Sequence, residues 1–287
     1  MQNALSVDLE DYYQVTAFAD SVDPAGWNDR PSRVEANTER LLELMAACGC
    51  QATFFTLGWV GERYPKLIRK IAEAGHEIAC HSHLHRLVYS LSVVQFRDDT
   101  KKAKQILECA GGCAVKGYRA PSFSITRQSL WAFEVLAELG FTYDSSIYPI
   151  EHLNYGMPGG PRLPFLLETS AGPIIEFPMP TLAAGKRRSP IGGGAYLRLL
   201  PYGYTSWAIR YINTREGSPV CVYLHPWELD TEQPKLHGSL AAKMRHYFGL
   251  RGMEAKLRKL LKDFSFAPVS TVIGTLQPAR TELTSLQ

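Results

Sequence analysis

The sequence predicts an α/β protein, a distorted (β/α) barrel of seven to eight parallel strands. Two observations predict the architecture. Amphipathic stretches that stop at glycine alternate with short β-rich runs, the order parallel βα units require. The β-rich runs at 4–8, 52–57, 77–80, 115–119, 141–144, 174–177, 219–224 and 264–272 suit a closed or nearly closed barrel better than an open doubly wound sheet. A third observation, the lack of any linker or internal repeat, predicts that residues 1–287 form a single catalytic domain.

The elements follow in order. An apolar start, Ala4-Leu5-Ser6-Val7, forms the first strand. Residues 31–48 align Val34, Thr38, Leu41, Leu42 and Met45 on one helical face and stop at Gly49, before strand 52–57. Residues 59–74 do the same with Val60, Tyr64, Leu67, Ile68 and Ile71, and stop at Gly75 before strand 77–80. Ser92 is the N-cap of a helix carrying Val93, Phe96, Thr100, Ala103 and Leu107, which ends at Gly111-Gly112 before strand 115–119. Helix 127–139 stops at Gly140 before strand 141–144. Residues 149–203 break the rhythm, being rich in Pro and Gly, and are expected to form a long loop excursion containing strand 174–177. The Gly192-Gly193-Gly194 triplet has no GKS/T behind it, so it is not a phosphate loop. Strand 219–224, helix 239–262 and a last strand complete the fold, and the tail 275–287 is expected to fray.

Composition excludes several classes. With 45% hydrophobic and 21% charged residues the chain is neither disordered, collagenous nor coiled coil. A net charge of +3, with no basic run beyond Lys186-Arg187-Arg188 and a scattered stretch at 251–262, is no nucleic-acid signature. No apolar run is long enough to span a membrane. The start has neither a basic n-region nor a long apolar segment, so a cytoplasmic location is expected, with work near the inner leaflet. The six cysteines form no CxxC pair and are expected to stay reduced. Nothing in the pattern sets an oligomeric state.

The chemistry concentrates at strand ends. Residues 76–85 carry four of the eight histidines. His81 and His85 are four apart, so a helical turn after the strand would put both on one face, within reach of one metal ion. His76-Glu77 lacks the second histidine of a metalloprotease motif. Two imidazoles normally take a carboxylate as third ligand. Asp8, Glu10 and Asp11 supply candidates, because carboxylates crowded at a strand end are costly unless a cation binds there. Three further polar clusters, Arg119-Ala120-Pro121, Tyr143-Asp144-Ser145-Ser146 and Leu224-His225-Pro226-Trp227-Glu228, also fall at strand ends. Parallel strands present their C-terminal ends on one face, so Asp8, His81, Arg119, Asp144 and His225 are expected together.

These five segments resemble, in order and across residues 8–228, the motifs of the polysaccharide deacetylases, the NodB-homology or carbohydrate esterase family 4 hydrolases. Asp8 to Asp11 is similar to the first motif, the histidine segment to the second, Arg119-Ala120-Pro121 to the third, Tyr143-Asp144-Ser145-Ser146 more loosely to the fourth, and Leu224-His225 to the fifth. Leu-His-Pro-Trp-Glu and the Arg-His-Tyr at 245–247 resemble the subfamily found with exosortase and exopolysaccharide gene clusters. The resemblance implies hydrolysis of the N-acetyl group of an N-acetylhexosamine in a polysaccharide or lipid-linked glycan. It implies a divalent metal on His81, His85 and a carboxylate. Many members carry adjacent aspartates in the first motif; here Leu9 follows Asp8, which leaves Glu10 and Asp11 as alternative ligands. Zinc suits this set, and cobalt and nickel do also. Asp8 would be the general base, Arg119 its ion-pair partner and His225 the general acid. Asp144 would tune a histidine or touch substrate. Tyr155, Tyr196 and Trp227 are the candidate sugar-contacting aromatics.

Three other readings compete. A metal-independent amidohydrolase of a cyclic amide or ureide on the same fold would lack metal ligands. An iron oxygenase would use the same two histidines and carboxylate. A glycan-binding protein without catalysis would lack a base or an acid.

Overall fold

The computed structural model describes residues 1–152, 155–185 and 187–286; Lys186, first of the basic triplet, lies outside them. Among the described residues there are twelve strands: β1 (Gln2–Leu9), β2 (Thr53–Thr56), β3 (Glu77–Cys80), β4 (Gly117–Tyr118), β5 (Tyr143–Asp144), β6 (Phe165–Thr169), β7 (Gly172–Glu176), β8 (Thr181–Ala184), β9 (Arg187–Pro190), β10 (Cys221–Leu224), β11 (Ser265–Ala267) and β12 (Ala279–Glu282). Ten form one sheet in the order β10-β1-β2-β3-β4-β5-β7-β6-β12, with β11 pairing the start of β1. Every pairing in this sheet is parallel except β6 with β7. Among the described residues no hydrogen bonds join β10 to β12, so the barrel is not closed by backbone pairing.

The helices are α1 (Val34–Ala47), α2 (Gly58–Arg63), α3 (Pro65–Glu73), α4 (Val93–Gly111), α5 (Ala132–Glu138), α6 (Gly194–Leu199), α7 (Tyr202–Tyr211), α8 (Leu240–Tyr247), α9 (Leu250–Asp263) and α10 (Val269–Ile273). Ser92 caps α4 in a reciprocal capping box with Gln95. Two expected helices are each split. Pro65 forces Tyr64 out of the helical region (φ −126°, ψ 56°), so 59–74 becomes α2 and α3. Gly249, at φ +81°, separates α8 from α9 within the expected 239–262 helix.

Strand periodicity divides the core in two. Leu5, Val7, Leu9, Phe54, Ile78, Cys80, Tyr118, Val222 and Leu224 join the helices in the larger cluster. Their neighbours Ala4, Phe55, Ala79, Tyr143, Cys221 and Tyr223 form a second cluster on the inner face. Helix α10 contributes Val269, Val272 and Ile273 to this inner cluster. It sits at the N-terminal strand ends, where the Val269 N–H donates to Thr53 Oγ1 at 2.7 Å. The opposite, C-terminal ends are left for chemistry.

Three expectations change. The run 264–272 is a strand only to Ala267, because Pro268 starts α10. The tail does not fray: β12 pairs in parallel with β6, and Leu286 is buried. The 149–203 excursion is not one loop, since it contains β6 and β7, the β8–β9 hairpin and α6. Its glycine triplet serves packing. A Cβ on Gly193, at φ +102°, would lie 2.1 Å from the Tyr223 ring, so the ring can lie against bare backbone there.

Candidate active site

Strand parity places the reactive side chains. Asp8 continues the inner-face series of Ala4 on β1, His81 that of Ala79 on β3, and His225 that of Cys221 and Tyr223 on β10. All three emerge at C-terminal ends, because β10, β1, β2 and β3 run parallel. Glu10 follows β1.

Ligand atoms of Glu10, His81 and His85 all lie within 4.8 Å of one another. His85 does not reach this point by a helical turn. The chain after β3 is non-helical, and Ser82 and His85 take left-handed conformations at φ +64° and +53°. Ser122 and Phe123, on the loop after β4, are the other non-glycine residues of this kind among the described residues. All four are costly conformations, and they cluster around the site. Ser82 Oγ accepts the His85 N–H at 3.1 Å, and Ser122 Oγ bonds Thr16 Oγ1 at 2.7 Å, which supports both loops.

The donor set fits a divalent cation. His81 Nδ1 lies 2.8 Å from the Arg119 carbonyl oxygen, which makes Nδ1 the donor and frees the Nε2 lone pair. Burial, then the neighbouring His85, pushes the His81 imidazole down to about 3, so it is neutral. Glu10 Oε2 is buried without a hydrogen bond, although His85 Nε2 lies 3.0 Å away. An orphaned carboxylate oxygen beside two imidazole nitrogens is the pattern a shared cation resolves. Burial acts to raise the Glu10 pKa, but His85, then His225 and His81, outweigh it and hold the group below its ordinary value.

Asp8 stands beside this cluster. Arg119 Nη1 donates to Asp8 Oδ1 at 2.7 Å, leaving Oδ2 toward His225. Arg119 is fully buried and does not line the cavity. Its guanidinium also donates to Ser6 Oγ, Ser145 O and Ser145 Oγ, and lies 4.0 Å above the Phe55 ring. Arg119 is therefore a positioning residue: its side chain holds Asp8 and its carbonyl orients His81.

Across the cavity, His225 Nδ1 lies 2.9 Å from Glu228 Oε1, while Nε2 lies 3.4 Å from Glu10 and 3.9 Å from Asp8. Burial acts to lower the His225 pKa, but the Glu228 hydrogen bond, then Glu10 and Asp8, raise it above the ordinary value. Trp227 stacks on the His225 ring at 4.9 Å, and His246 of α8 stacks on Trp227 at 4.1 Å. Glu228 escaped the sequence reading, although His225 and Glu228 stand three apart in a quoted motif; that spacing was the available signal. Arg198 of α6 also lines the cavity and carries no local sequence signal, whereas Arg245 of α8, which lines it too, belongs to the Arg-His-Tyr at 245–247.

The remaining candidates divide. Tyr155 and Trp227 line the cavity, and Tyr155 is held between His152 (3.7 Å) and Tyr148 (5.8 Å). Tyr196 does not line it and packs edge-on against Tyr148. Asp11 is turned away from the cluster. Its carboxylate accepts from Tyr12 N, Ser32 Oγ, Arg33 N and Val34 N at 2.7–3.2 Å, so it ties down the start of α1 instead of offering a metal ligand. Asp11→Ala is expected to cost about 1–3 kcal/mol, the penalty for orphaning buried donors, and to leave metal stoichiometry unchanged. Thermal unfolding and metal analysis of the purified variant check this, and loss of metal would reinstate Asp11 as a ligand.

Asp144 is not delivered to the site either. Tyr143 takes the inner face of β5, so Asp144 falls on the other, opposite Tyr118 in register. It is fully buried and accepts from Ser146 N and Oγ, and Ser146 Oγ in turn accepts the Ala120 N–H. Its register partner Glu176 is buried with it and accepts the Ile147 N–H. Burial raises both pKa values, and Glu176, also facing the Asp144 charge, is raised well above the carboxylate range. The pair thus shares a proton that the unfolded chain releases at ordinary carboxylate pH. The stability it confers is complete below that pH and is lost as pH rises through the raised value. Glu176→Gln, which keeps a donor toward Asp144, is expected to remove this loss with rising pH; equal pH slopes of Tm in wild type and variant would refute it.

Residues 25–143 match the family model described as polysaccharide deacetylase, and residues 145–274 match a domain of unknown function, DUF3473. The His81–His85 loop and Arg119 fall in the first match and His225 in the second, whereas Asp8 and Glu10 precede both. A curated relative, the peptidoglycan-N-acetylglucosamine deacetylase of Bacillus cereus, is 32% identical over 98 residues, which are 34% of this chain and 36% of that protein. The match thus spans about a third of each. Among solved structures, one from Mycobacterium smegmatis assigned as a polysaccharide deacetylase aligns with TM-score 0.60 at 20% identity, over 97% of this chain and 94% of that one. Puue allantoinase aligns with TM-score 0.60 at 15% identity, over 94% and 87% of the two chains. These two likenesses establish the shared α/β fold.

Proposed function

Taking as premise that the chain is related to the polysaccharide deacetylases through residues 25–143, we propose that it is a metal-dependent hydrolase of N-acetyl groups on N-acetylhexosamines in a polysaccharide or lipid-linked glycan. The observation that carries the reading is the convergence of Glu10, His81 and His85 in one cavity with Asp8 and His225. Glu10, His81 and His85 would hold the divalent ion, with zinc the best suited to the set. An ion bound there supplies Lewis acidity to the acetyl carbonyl and acidifies a water molecule. Asp8, held in place by Arg119 Nη1, takes the proton as water adds to the carbonyl carbon. His225, its Nδ1 held by Glu228, delivers a proton from Nε2 to the departing nitrogen as the C–N bond breaks. Acetate and a free amine result. Tyr155, Trp227 and Tyr223 form an aromatic wall suited to a sugar ring.

We further place the protein in the subfamily found with exosortase and exopolysaccharide gene clusters and in a reducing compartment. All six cysteines are free and three are exposed, which suits the cytoplasm. No helix among the described residues is long and apolar enough to cross a membrane.

Acetate release from N-acetylglucosamine oligomers tests the function, measured after chelation and again after adding Zn²⁺ or Co²⁺. Metal-restored release is the expected result. Release that persists after complete chelation would instead favour a metal-free amidohydrolase. One bound metal with no release from any acetylated glycan would favour a binding protein.

A further inference from the structure

Helix α8 has two unlike faces. Its inner face closes the cavity: His246 stacks on Trp227 and bonds Gln233 at 2.7 Å, and Tyr247 Oη accepts the Leu236 N–H at 2.7 Å. Arg198 fixes its end, donating to the carbonyls of Arg245 and His246 at 2.9 Å and of Phe248 at 2.6 Å. The outer face is apolar. Leu240, Met244 and Phe248 recur every four residues and are 75%, 58% and 60% exposed. Two large apolar side chains on one edge of α8 and a third, Phe248, at its C-cap are held in solvent beside a cavity mouth and mark an interaction surface.

The charge around this stripe selects the occupant. Residues 233–253 contain Lys235, Lys243, Arg245 and Arg251 and no carboxylate. Arg245 turns into the cavity and donates to Tyr155 Oη at 3.0 Å, and none of the other three cations makes an ion pair among the described residues. We propose that the α8 face docks on an anionic lipid bilayer, with Leu240, Met244 and Phe248 entering the headgroup boundary and Lys235, Lys243 and Arg251 meeting lipid phosphates. An apolar stripe flanked by unpaired cations is the composition of an interfacial helix. A second copy of the chain fits this face poorly, because a two-fold contact would set the same unpaired cations against each other. Docking in this way turns the cavity wall formed by Arg245 and His246 toward the membrane surface, where a lipid-linked glycan would be presented. The docking itself does not depend on the reaction proposed above.

Flotation of the full chain with vesicles, without substrate, tests this apart from catalysis. Two vesicle types serve as probes: phosphatidylcholine alone, and phosphatidylcholine with roughly a third phosphatidylglycerol. The protein is expected to float with the anionic vesicles and to be released by salt. The combined variant Leu240→Ser, Met244→Ser, Phe248→Ser is expected to lower the partition about tenfold or more, with an unchanged circular dichroism spectrum. Lys243→Glu with Arg251→Glu, which leaves the stripe intact, is expected to bring binding down to that seen with neutral vesicles. Failure of the wild type to bind anionic vesicles, or equal binding by the serine variant, would overturn the proposal. So would a wild-type dimer that the serine variant dissociates, because the stripe would then belong to a second copy.

Discussion

Asp8→Asn is expected to lower kcat by about a thousandfold, within the range for loss of a positioned general base, while one metal ion per chain stays bound. The asparagine carbonyl still accepts from Arg119 Nη1, so the 2.7 Å contact survives in neutral form. What disappears is the proton acceptor at Oδ2, the oxygen directed toward the cavity and His225. A cost in stability also follows. Arg119 is fully buried, and weakening its charged partner leaves a guanidinium held by hydroxyls, carbonyls and the Phe55 ring. Full removal of a buried partner costs about 3–5 kcal/mol; the amide keeps part of that contact. Thermal unfolding separates the two effects, because a folded, metal-loaded variant without turnover isolates the base. Retention of more than about a tenth of wild-type kcat would remove Asp8 from that role.

His81→Ala is expected to abolish stoichiometric metal binding, with turnover lost alongside it. His81 is held on two sides: its backbone N–H donates to the Thr56 carbonyl at 2.9 Å and its Nδ1 to the Arg119 carbonyl at 2.8 Å. The ring is thus pre-aimed, and contacts that orient a ligand ring in this way are worth about 10–100-fold in metal affinity. A readout independent of activity is available. A ligand that binds only the folded state at 100 times its Kd stabilises by about 2.7 kcal/mol. Added Zn²⁺ should therefore raise the Tm of chelated wild type and leave that of His81→Ala unmoved. A metal-dependent rise in the variant would mean that the ion sits elsewhere.

The side chains behind the reactive ones explain why the site is rigid. His225 is fixed by Glu228 in front and by the Trp227–His246 stack behind, and Arg198 lies 5.5 Å over Trp227. Burial, then Arg198 and His225, pushes the His246 imidazole down to about 3, so the stack stays neutral beside the raised His225. These supports come from the turn after β10, from α6 and from α8, three separate segments of the sequence.

That distribution separates what the sequence determined from what the tertiary structure decided. The parallel fold, and the delivery of Asp8, His81 and His225 to one end of it, were legible because they rest on local rules. Helices stop at glycine, strands alternate with period two, and parallel strands share an end. The same rules, followed one residue further, would have excluded Asp144, whose neighbour Tyr143 takes the inner face. The choice between Glu10 and Asp11 was not legible. Both are carboxylates beyond the same strand, and the decision lies with Ser32, Arg33 and Val34, whose donors claim Asp11 from across the chain. Nor was the route to His85 visible, because i,i+4 spacing promises a helical turn whereas the loop brings His85 to Glu10 and His81 through left-handed residues at 82 and 85. Arg198 was hidden for the same reason, and the quoted segments holding Glu228 and Arg245 did not reveal what these two do, because their roles are set by what packs opposite them. Periodicity and capping are written in neighbouring residues, but the partner that claims a lone pair or supports a ring is chosen only when distant segments meet.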